Sequence, residues 1–359
     1  MRHKRTARLL VGHLLVERHA VRPVLGHLVV PLLMCLGMGL AYLGAFHAPQ
    51  AHAHDLRVAV VGTSEHNRLL AQAIKDRAGD AVDVTTLPDR AAARQHIMDR
   101  DLVAAYVPRS QHPELLVAAA NSSTSATAAE EIFTTVAAQQ DAPLRITDLS
   151  RPAGGDPGNQ GLFFVLIALT IGSNACAVAI GTAGAALRMW TRLAIGIAGA
   201  LAVSVIGAVL AGPAFHVVDH DLRGVWAMAW LYAAGITTLG IGLHAFLKRL
   251  TMPVLMVLFI MLNFTSSGGV LEPELQNGFL GSLHAFWNGA GFVEGARSLL
   301  YFGSAGLGAR LLSLVLWLLA GLLLVARAAV AERRGRPAPA PVLPAGAESG
   351  DPTFRTAAV

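Results

Sequence analysis

Apolar residues gather in six long runs along the chain, and polar residues fill the stretches between them. About 20 consecutive apolar residues form a helix long enough to cross the hydrocarbon core of a membrane. The pattern therefore predicts a polytopic α-helical membrane protein with six spans. The runs cover residues 24–46, 161–187, 193–215, 224–247, 252–271 and 309–330.

The polar stretch 47–159, between the first two runs, has a different pattern in which short apolar segments alternate with amphipathic ones. The short segments predict strands, and the segments between them have helical spacing. Ser64 is predicted to cap the first helix and Pro88 to open the second. The alternation predicts a small doubly wound α/β domain. Its strands are expected at 56–61, 82–87, 102–107, 115–119 and 144–148, with a third helix from about Ser125.

Charge is scarce and unevenly placed: 14% of the residues are charged, 54% are hydrophobic, and the formal net charge is +5. Of the 28 Lys and Arg residues, 15 lie before the first run, from Arg327 onward, or in the loops that follow the second and fourth runs. The opposite side holds three, Arg223, Arg297 and Arg310. Because cytoplasmic loops carry the excess of Lys and Arg, both termini are predicted to be cytoplasmic and the α/β domain extracytoplasmic. The expected location is the plasma membrane.

The segments outside the spans follow from this topology. Residues 1–23 combine leucines with basic residues and are expected to form a cytoplasmic interfacial leader. The first span, 24–46, is expected to be an uncleaved anchor. Residues 160–330 hold the other five spans, and residues 331–359 are expected to be a disordered cytoplasmic tail. The expected surroundings are the lipid bilayer; a nucleic-acid partner is excluded because the positive charge does not sit on a folded basic surface.

Few polar residues lie inside the spans. Asn174 and Asn263 are candidates for lining a substrate path, and hydrogen bonding between helices is the alternative. No Asp, Glu, Lys or Arg lies at the centre of a predicted span. This disfavours a carrier driven by protons or ions, which normally needs an ionisable group within the membrane.

The segment 272–308 is too broken by Gly, Pro and Asn to form a span, yet it is rich in aromatic residues such as Trp287. Short helices that dip into the outer interface are expected there. Glu294 and Arg297 stand three residues apart on one predicted helix, so they can pair. The pair is either a solvated surface pair or a pair that shapes an outer gate.

Enzyme motifs are absent from the sequence. None of the three lysines follows a glycine, so the chain has no Walker A phosphate loop and cannot itself be an ATPase. It has neither a His-Glu-x-x-His pair nor a Gly-x-Ser-x-Gly elbow. His47, His52, His54 and Asp55 have the best metal-like spacing, but a solvated linker is expected because no second ligand group accompanies them. No catalytic residue, cofactor or metal is predicted.

Two stretches have a recognisable layout. Leu56–Pro108 places a strand, a helix and a last strand ending in Pro one after another. Leu283–Trp287, followed by Glu294–Arg297 and then Tyr301–Phe302, forms an aromatic segment before the final span. With one span before the α/β domain and five after it, the chain resembles the permease subunits of type-2 ABC exporters, in the large-ectodomain branch related to the phage-infection protein. It departs from that family at Trp287-Asn288-Gly289, where a Pro-containing turn is common.

The resemblance implies a permease that dimerises, as a homodimer or with a second permease, and that moves a hydrophobic or amphipathic substrate outward. ATP would be hydrolysed on separate ATPase subunits. Arg188, Trp190 and Arg192 match the position of the family's ATPase-coupling helix, although a plain cytoplasmic turn also accounts for two cations there. The alternative function is a non-transporting membrane receptor or interaction protein whose ectodomain binds a ligand or surface partner.

Overall fold

The computed structural model describes residues 36, 37, 39, 55–109, 111–276 and 278–335. The leader 1–23, most of the first predicted span, His47, His52, His54 and the tail from residue 336 lie outside the described residues. The three described residues of the first run are helical.

The α/β domain contains five strands and three helices, close to the bounds that the sequence predicts. Ser64 accepts a hydrogen bond from the Asn67 main-chain N–H at 3.3 Å and so caps the first helix, as predicted. Asp89, one residue after Pro88, caps the second helix. In chain order the elements are β1 Leu56–Val61, α1 Glu65–Ala78, β2 Val82–Leu87, α2 Arg90–Met98, β3 Ala104–Val107, β4 Glu114–Val117, α3 Ser123–Ala138 and β5 Arg145–Asp148.

The strands form one sheet in the order β2-β1-β3-β4-β5. The sheet is mixed, because β3 and β4 pair antiparallel whereas the other neighbours pair parallel. A doubly wound α/β domain was predicted, and helices do cover both faces of the sheet, but β3 and β4 run antiparallel. The physical reason is that a parallel connection needs a long crossover, and the short segment between β3 and β4 contains no helix.

The strands alternate their side chains between two apolar layers. On one face α1 and α3 cover the sheet, with Tyr106 of β3 stacked on Phe133 of α3 at a ring-centroid distance of 5.2 Å. On the other face α2 packs through Ala93 and Ile97. Residues from the helical part of the chain also enter both layers, and this joins the domain to the helices.

The helical part follows the α/β domain. By length and composition, four of its helical stretches are long and apolar enough to cross a membrane: Gly161–Ala183, Met189–Ala214, Leu222–Ser266 and Leu307–Arg334. The elements are α4 Gly161–Ala183, α5 Met189–Val209 with a π-helical end Leu210–Ala214, α6 Leu222–Leu247, α7 Thr251–Met256, a π-helical stretch Val257–Leu262, α8 Asn263–Ser266, α9 Gly278–His284, α10 Asn288–Tyr301 and α11 Leu307–Gly335.

The stretch Leu222–Ser266 folds back on itself. Lys248 has a positive φ of 49° at the end of α6. Asn263 Nδ2 donates to Tyr232 Oη at 2.7 Å, although a straight helix would separate the two residues by about 46 Å. The run predicted at 252–271 therefore lies beside α6 as a separate, shorter helical arm.

Small residues allow the long helices to pack closely. A Cβ atom on Gly321 of α11 would lie 2.3 Å from Thr238 Oγ1 and 2.7 Å from the Leu239 main-chain nitrogen of α6. A Cβ atom on Gly240 would lie 2.6 Å from the Ala177 Cβ atom of α4. Helix α6 is thus the centre of the bundle, with α4 and α11 against its glycine-containing surfaces.

The bundle has two distinct ends. At one end, Glu332 Oε2 of α11 accepts a hydrogen bond from the Met189 main-chain N–H at the start of α5, at 3.1 Å. At the opposite end, Tyr301 Oη accepts a hydrogen bond from the Ala153 main-chain N–H after the α/β domain. The loop with Arg188 and Arg192 thus lies at the end opposite the α/β domain.

Candidate functional site

The α/β domain reaches into the helical part through Arg100, which follows α2 and has a positive φ of 66°. Its Nη2 donates to Glu294 Oε2 of α10, and its Nη1 donates to the Glu294 main-chain oxygen at 3.3 Å. Its Nε donates to Asn121 Oδ1 at 2.7 Å, and the guanidinium lies over the Phe302 ring at 5.4 Å from the ring centre. These contacts fix one guanidinium between the two parts of the protein.

Glu294 and Arg297 are paired and buried. Arg297 Nη1 donates to Glu294 Oε1 at 2.8 Å, and the side chains are 1% and 3% exposed. The same nitrogen donates to Glu272 Oε1 at 2.8 Å and to the Gly268 main-chain oxygen at 2.7 Å. The alternative of a solvated surface pair is therefore wrong. Arg297 is the centre of an ionic cluster that gathers Arg100, Glu272, His284, Glu294, Arg297 and Arg310, hereafter the junction cluster.

The two carboxylates of the junction cluster differ in protonation. Burial by itself raises the pKa of Glu294, but the charges of Arg100 and Arg297 outweigh it and lower the pKa to about 2. Burial raises the pKa of Glu272 well above its usual range, and the negative charge of Glu294 raises it further. Glu294 is therefore the permanently charged partner of the two arginines, and Glu272 is the carboxyl that most readily takes a proton.

His284 supplies a neutral imidazole to the junction cluster. Burial lowers its pKa to about 4. The neutral ring donates from Nδ1 to the Ser266 main-chain oxygen at 3.0 Å, which leaves Nε2 as an acceptor. Arg310 Nη2 lies 3.5 Å from that nitrogen. The imidazole therefore adds no charge to the junction cluster at neutral pH.

Glu272, His284 and Glu294 each place one possible metal ligand within 4.8 Å of the others. A carboxylate-rich set with one imidazole is of the type that binds a divalent cation. However, Arg297 Nη1 is 2.8 Å from an oxygen of each carboxylate, so the guanidinium takes the position that a cation would occupy. In this arrangement the three residues form an ion-pair network rather than a metal centre.

A cavity of about 230 Å³ opens beside the junction cluster. Residues of the α/β domain, among them Arg57, Arg100 and Asn121, form one side of it. Glu272, Glu274, His284, Glu294 and Arg310 of the helical part form the other. The cavity is thus enclosed by both parts of the protein.

Apolar side chains hold the two parts together around this cavity. Leu271 and Leu275 enter the layer beneath α1 and α3, and Phe302 enters the layer beneath α2. Helix α10 lies between these two attachments, and nearly all of its residues are buried. The predicted segment 272–308 does contain short helices, and it attaches the α/β domain to the bundle.

Asn263 is fully hydrogen-bonded between helices. Its Nδ2 donates to Tyr232 Oη, and its Oδ1 accepts from the Gly289 main-chain N–H at 2.6 Å. Thr170 Oγ1 donates to the Leu166 main-chain oxygen, so the Tyr232 hydroxyl donates to Thr170 at 2.5 Å. This chain connects α4, α6, α8 and α10, which is the interhelical role that was the alternative to a substrate path.

Asn174 differs from Asn263. It is 2% exposed, and neither polar atom of its amide has a hydrogen-bond partner among the described residues. Within the same part of the chain, the amide of Asn288, at the start of α10, is also buried without a partner. Trp287 is buried as well, and its Nε1 donates to the Leu258 main-chain oxygen in the π-helical stretch at 3.1 Å. The structure does not bring Asn174 into the junction cluster.

The three residues of the predicted coupling loop have different surroundings. Arg192 donates to the main-chain oxygens of Gly184 and Ala185, so it caps the end of α4. Arg188 is exposed, and Trp190 is 52% exposed. Arg188 and Trp190 therefore form the accessible surface of the loop.

Sequence reasoning found Glu294 and Arg297 but not Arg100, Glu272, His284 or Arg310. Arg100 and Glu294 are 194 residues apart, and no spacing rule connects them. The sequence gives only a weak indication of Glu272 and His284, because they lie in the same broken segment as the predicted pair. No family model, curated protein or solved structure matches this chain.

Proposed function

We propose that this chain is the membrane subunit of an ABC-type exporter, moving a hydrophobic or amphipathic substrate outward with ATP hydrolysed on a separate subunit. In this proposal the chain crosses the plasma membrane six times, keeps both termini in the cytoplasm, and works as a homodimer or beside a second permease. Four long apolar helices support a membrane location. The uneven placement of Lys and Arg supports the orientation.

The observation that carries the proposal is the exposed surface of Trp190 and Arg188 at the end of the bundle opposite the α/β domain. A large aromatic side chain beside a cation is the composition of a protein-binding hot spot. Tryptophan is also frequent in the interfacial belt of membrane proteins. The test must therefore separate docking from simple contact with lipid.

The test uses the full chain, co-expressed with an ABC ATPase subunit, purified and reconstituted in lipid nanodiscs. ATP hydrolysis is measured with and without amphipathic compounds. We expect Trp190→Ala to lower the stimulated rate at least about tenfold, the loss that follows truncation of a hot-spot tryptophan. Trp230→Ala, on a 37% exposed tryptophan within α6, is the matched control and should retain the rate.

Two results would refute the proposal. One is a stable complex whose ATP hydrolysis responds equally to Trp190→Ala and Trp230→Ala. The other is transport or signalling by the chain with no ATPase present. The second result would favour the alternative function, a receptor or interaction protein, whose partner would bind the α/β domain.

A further inference from the structure

One arginine that lines the junction cavity, Arg310, has no carboxylate partner among the described residues. Glu294 pairs with Arg100 and Arg297, and Glu272 shares Arg297. Glu274 lies 3.8 Å from Arg57. The carboxylates of Glu272, Glu274 and Glu294 therefore each have an arginine partner already. The remaining acidic residue of the lining, Asp99, is exposed at the rim.

Arg310 is the arginine of the cavity lining whose charge has no carboxylate partner among the described residues. It belongs to the first turn of α11 and lines the cavity. Its guanidinium lies 3.4 Å from the His284 main-chain oxygen and 3.5 Å from His284 Nε2, which are long contacts to neutral groups. Within the described residues, no carboxylate oxygen lies within 4.0 Å of it. A partly enclosed cation without an anionic partner is costly.

We propose that the junction cavity binds a small molecule bearing a carboxylate, with the carboxylate paired to the Arg310 guanidinium. A guanidinium presents two parallel N–H donors that match the two oxygens of a carboxylate. A bound carboxylate supplies the anionic partner that Arg310 lacks. The paired arginines Arg100 and Arg297 keep their own partners when the ligand binds.

The size of the cavity limits the ligand. A protein cavity of about 150 Å³ holds a benzene molecule, so the 230 Å³ here accommodates a short-chain or aromatic acid of a few more atoms. Residues from both parts of the protein surround the cavity, so the bound acid contacts the α/β domain and the helices together. Binding therefore stabilises the attachment of the domain to the bundle. The inference does not depend on the exporter proposal, because a receptor would use the same site.

The test measures thermal unfolding of the purified full chain in detergent at neutral pH, with sodium acetate, propionate or benzoate added. N-acetylglycine stands for the carboxyl end of a peptide and distinguishes that source from a free acid. The corresponding amides and sodium chloride are the controls. We expect a saturable rise in Tm with at least one acid up to about 10 mM, and none with its amide.

The residue is tested by Arg310→Gln, with Arg223→Gln as the matched control on an exposed arginine of α6 outside the cavity. We expect Arg310→Gln to weaken carboxylate binding at least about tenfold and Arg223→Gln to leave it unchanged. If Arg310→Gln fails to fold, Arg310→Lys replaces it and should weaken binding without changing Tm in the absence of ligand. No acid-dependent shift, an equal shift with chloride, or equal losses in the cavity variant and Arg223→Gln would overturn the proposal.

Discussion

The ion pair between Arg100 and Glu294 should be one of the strongest single contacts between the α/β domain and the helices. The perturbation is a double-mutant cycle of Arg100→Gln, Glu294→Gln and the two together. Glutamine matches the size of glutamate without its charge, and at Arg100 it replaces the guanidinium with a shorter neutral amide. The cycle subtracts what each substitution costs on its own, including the packing lost at Arg100, and leaves the interaction between the two side chains.

The expected magnitude follows from burial. The Glu294 side chain is 1% exposed and the Arg100 side chain 14% exposed. Removing the charge of Glu294 alone leaves Arg100 without a carboxylate and leaves the 3% exposed Arg297 with Glu272 only, which should cost about 3–5 kcal/mol of unfolding free energy. The double variant also removes the positive charge of Arg100, which the Glu294 substitution alone leaves buried without its carboxylate. Its cost should therefore fall short of the sum of the single costs by about 2 kcal/mol.

The assay is denaturant-induced unfolding of the full chain in mild detergent, followed by tryptophan fluorescence. Glu65 and Arg68 on α1 are the control pair, because their charged atoms lie 3.8 Å apart and their side chains are 76% and 62% exposed. The same cycle at the control pair should give a coupling of no more than about 0.5 kcal/mol. Equal coupling at the two pairs would refute the reasoning that burial gives the junction pair its strength.

Two further predictions concern single residues. The pKa of His284 is lowered to about 4, against 6.5 in an unfolded chain, so the unfolded state takes the proton first as pH falls. For this reason the free energy of unfolding should drop by about 2 kcal/mol between pH 7.5 and 5. The variant His284→Gln should lose that part of the pH dependence. Equal pH slopes for the two proteins would show that the imidazole is not held neutral. Gly321→Ala should cost about 1–3 kcal/mol because its Cβ atom would meet Thr238 and the α6 main chain. Gly308→Ala, with open space around it, should cost nothing, and equal Tm values for the two variants would contradict the close packing of α6 and α11.

The secondary structure of the α/β domain was largely predictable because it depends on local patterns. β1 and β2 have the predicted bounds, and Ser64 caps α1 as expected. The antiparallel direction of β4 was not predicted, because strand pairing is decided by connection length and by long-range contacts rather than by the residues of the strand. The hydrophobicity of the segment after Lys248 predicted a separate span, whereas the structure has a shorter helical arm there. The π-helical stretch in that arm has no distinguishing sequence pattern.

The site was only partly predictable. The pairing of Glu294 with Arg297 follows from their spacing on a helix and was predicted. Its burial was not predictable, because the segment around it is broken by Gly, Pro and Asn and contains no apolar run long enough to form a span. Arg100 reaches the junction cluster from the α/β domain. Its main-chain φ is positive, and neither the arginine itself nor its neighbours in the sequence indicate that conformation.

The sequence by itself determined the apolar helices, the separate α/β domain and the sorting of charge between loops, because each depends on local composition or on helical and strand periodicity. Only the tertiary structure decided that the α/β domain is attached through α10, that Arg100 and Arg297 pair there with Glu294 and Glu272, and that Arg310 has no carboxylate partner among the described residues. The reason is that electrostatic energy depends on distance and burial in space. Residues far apart in the chain acquire both only when the chain has folded.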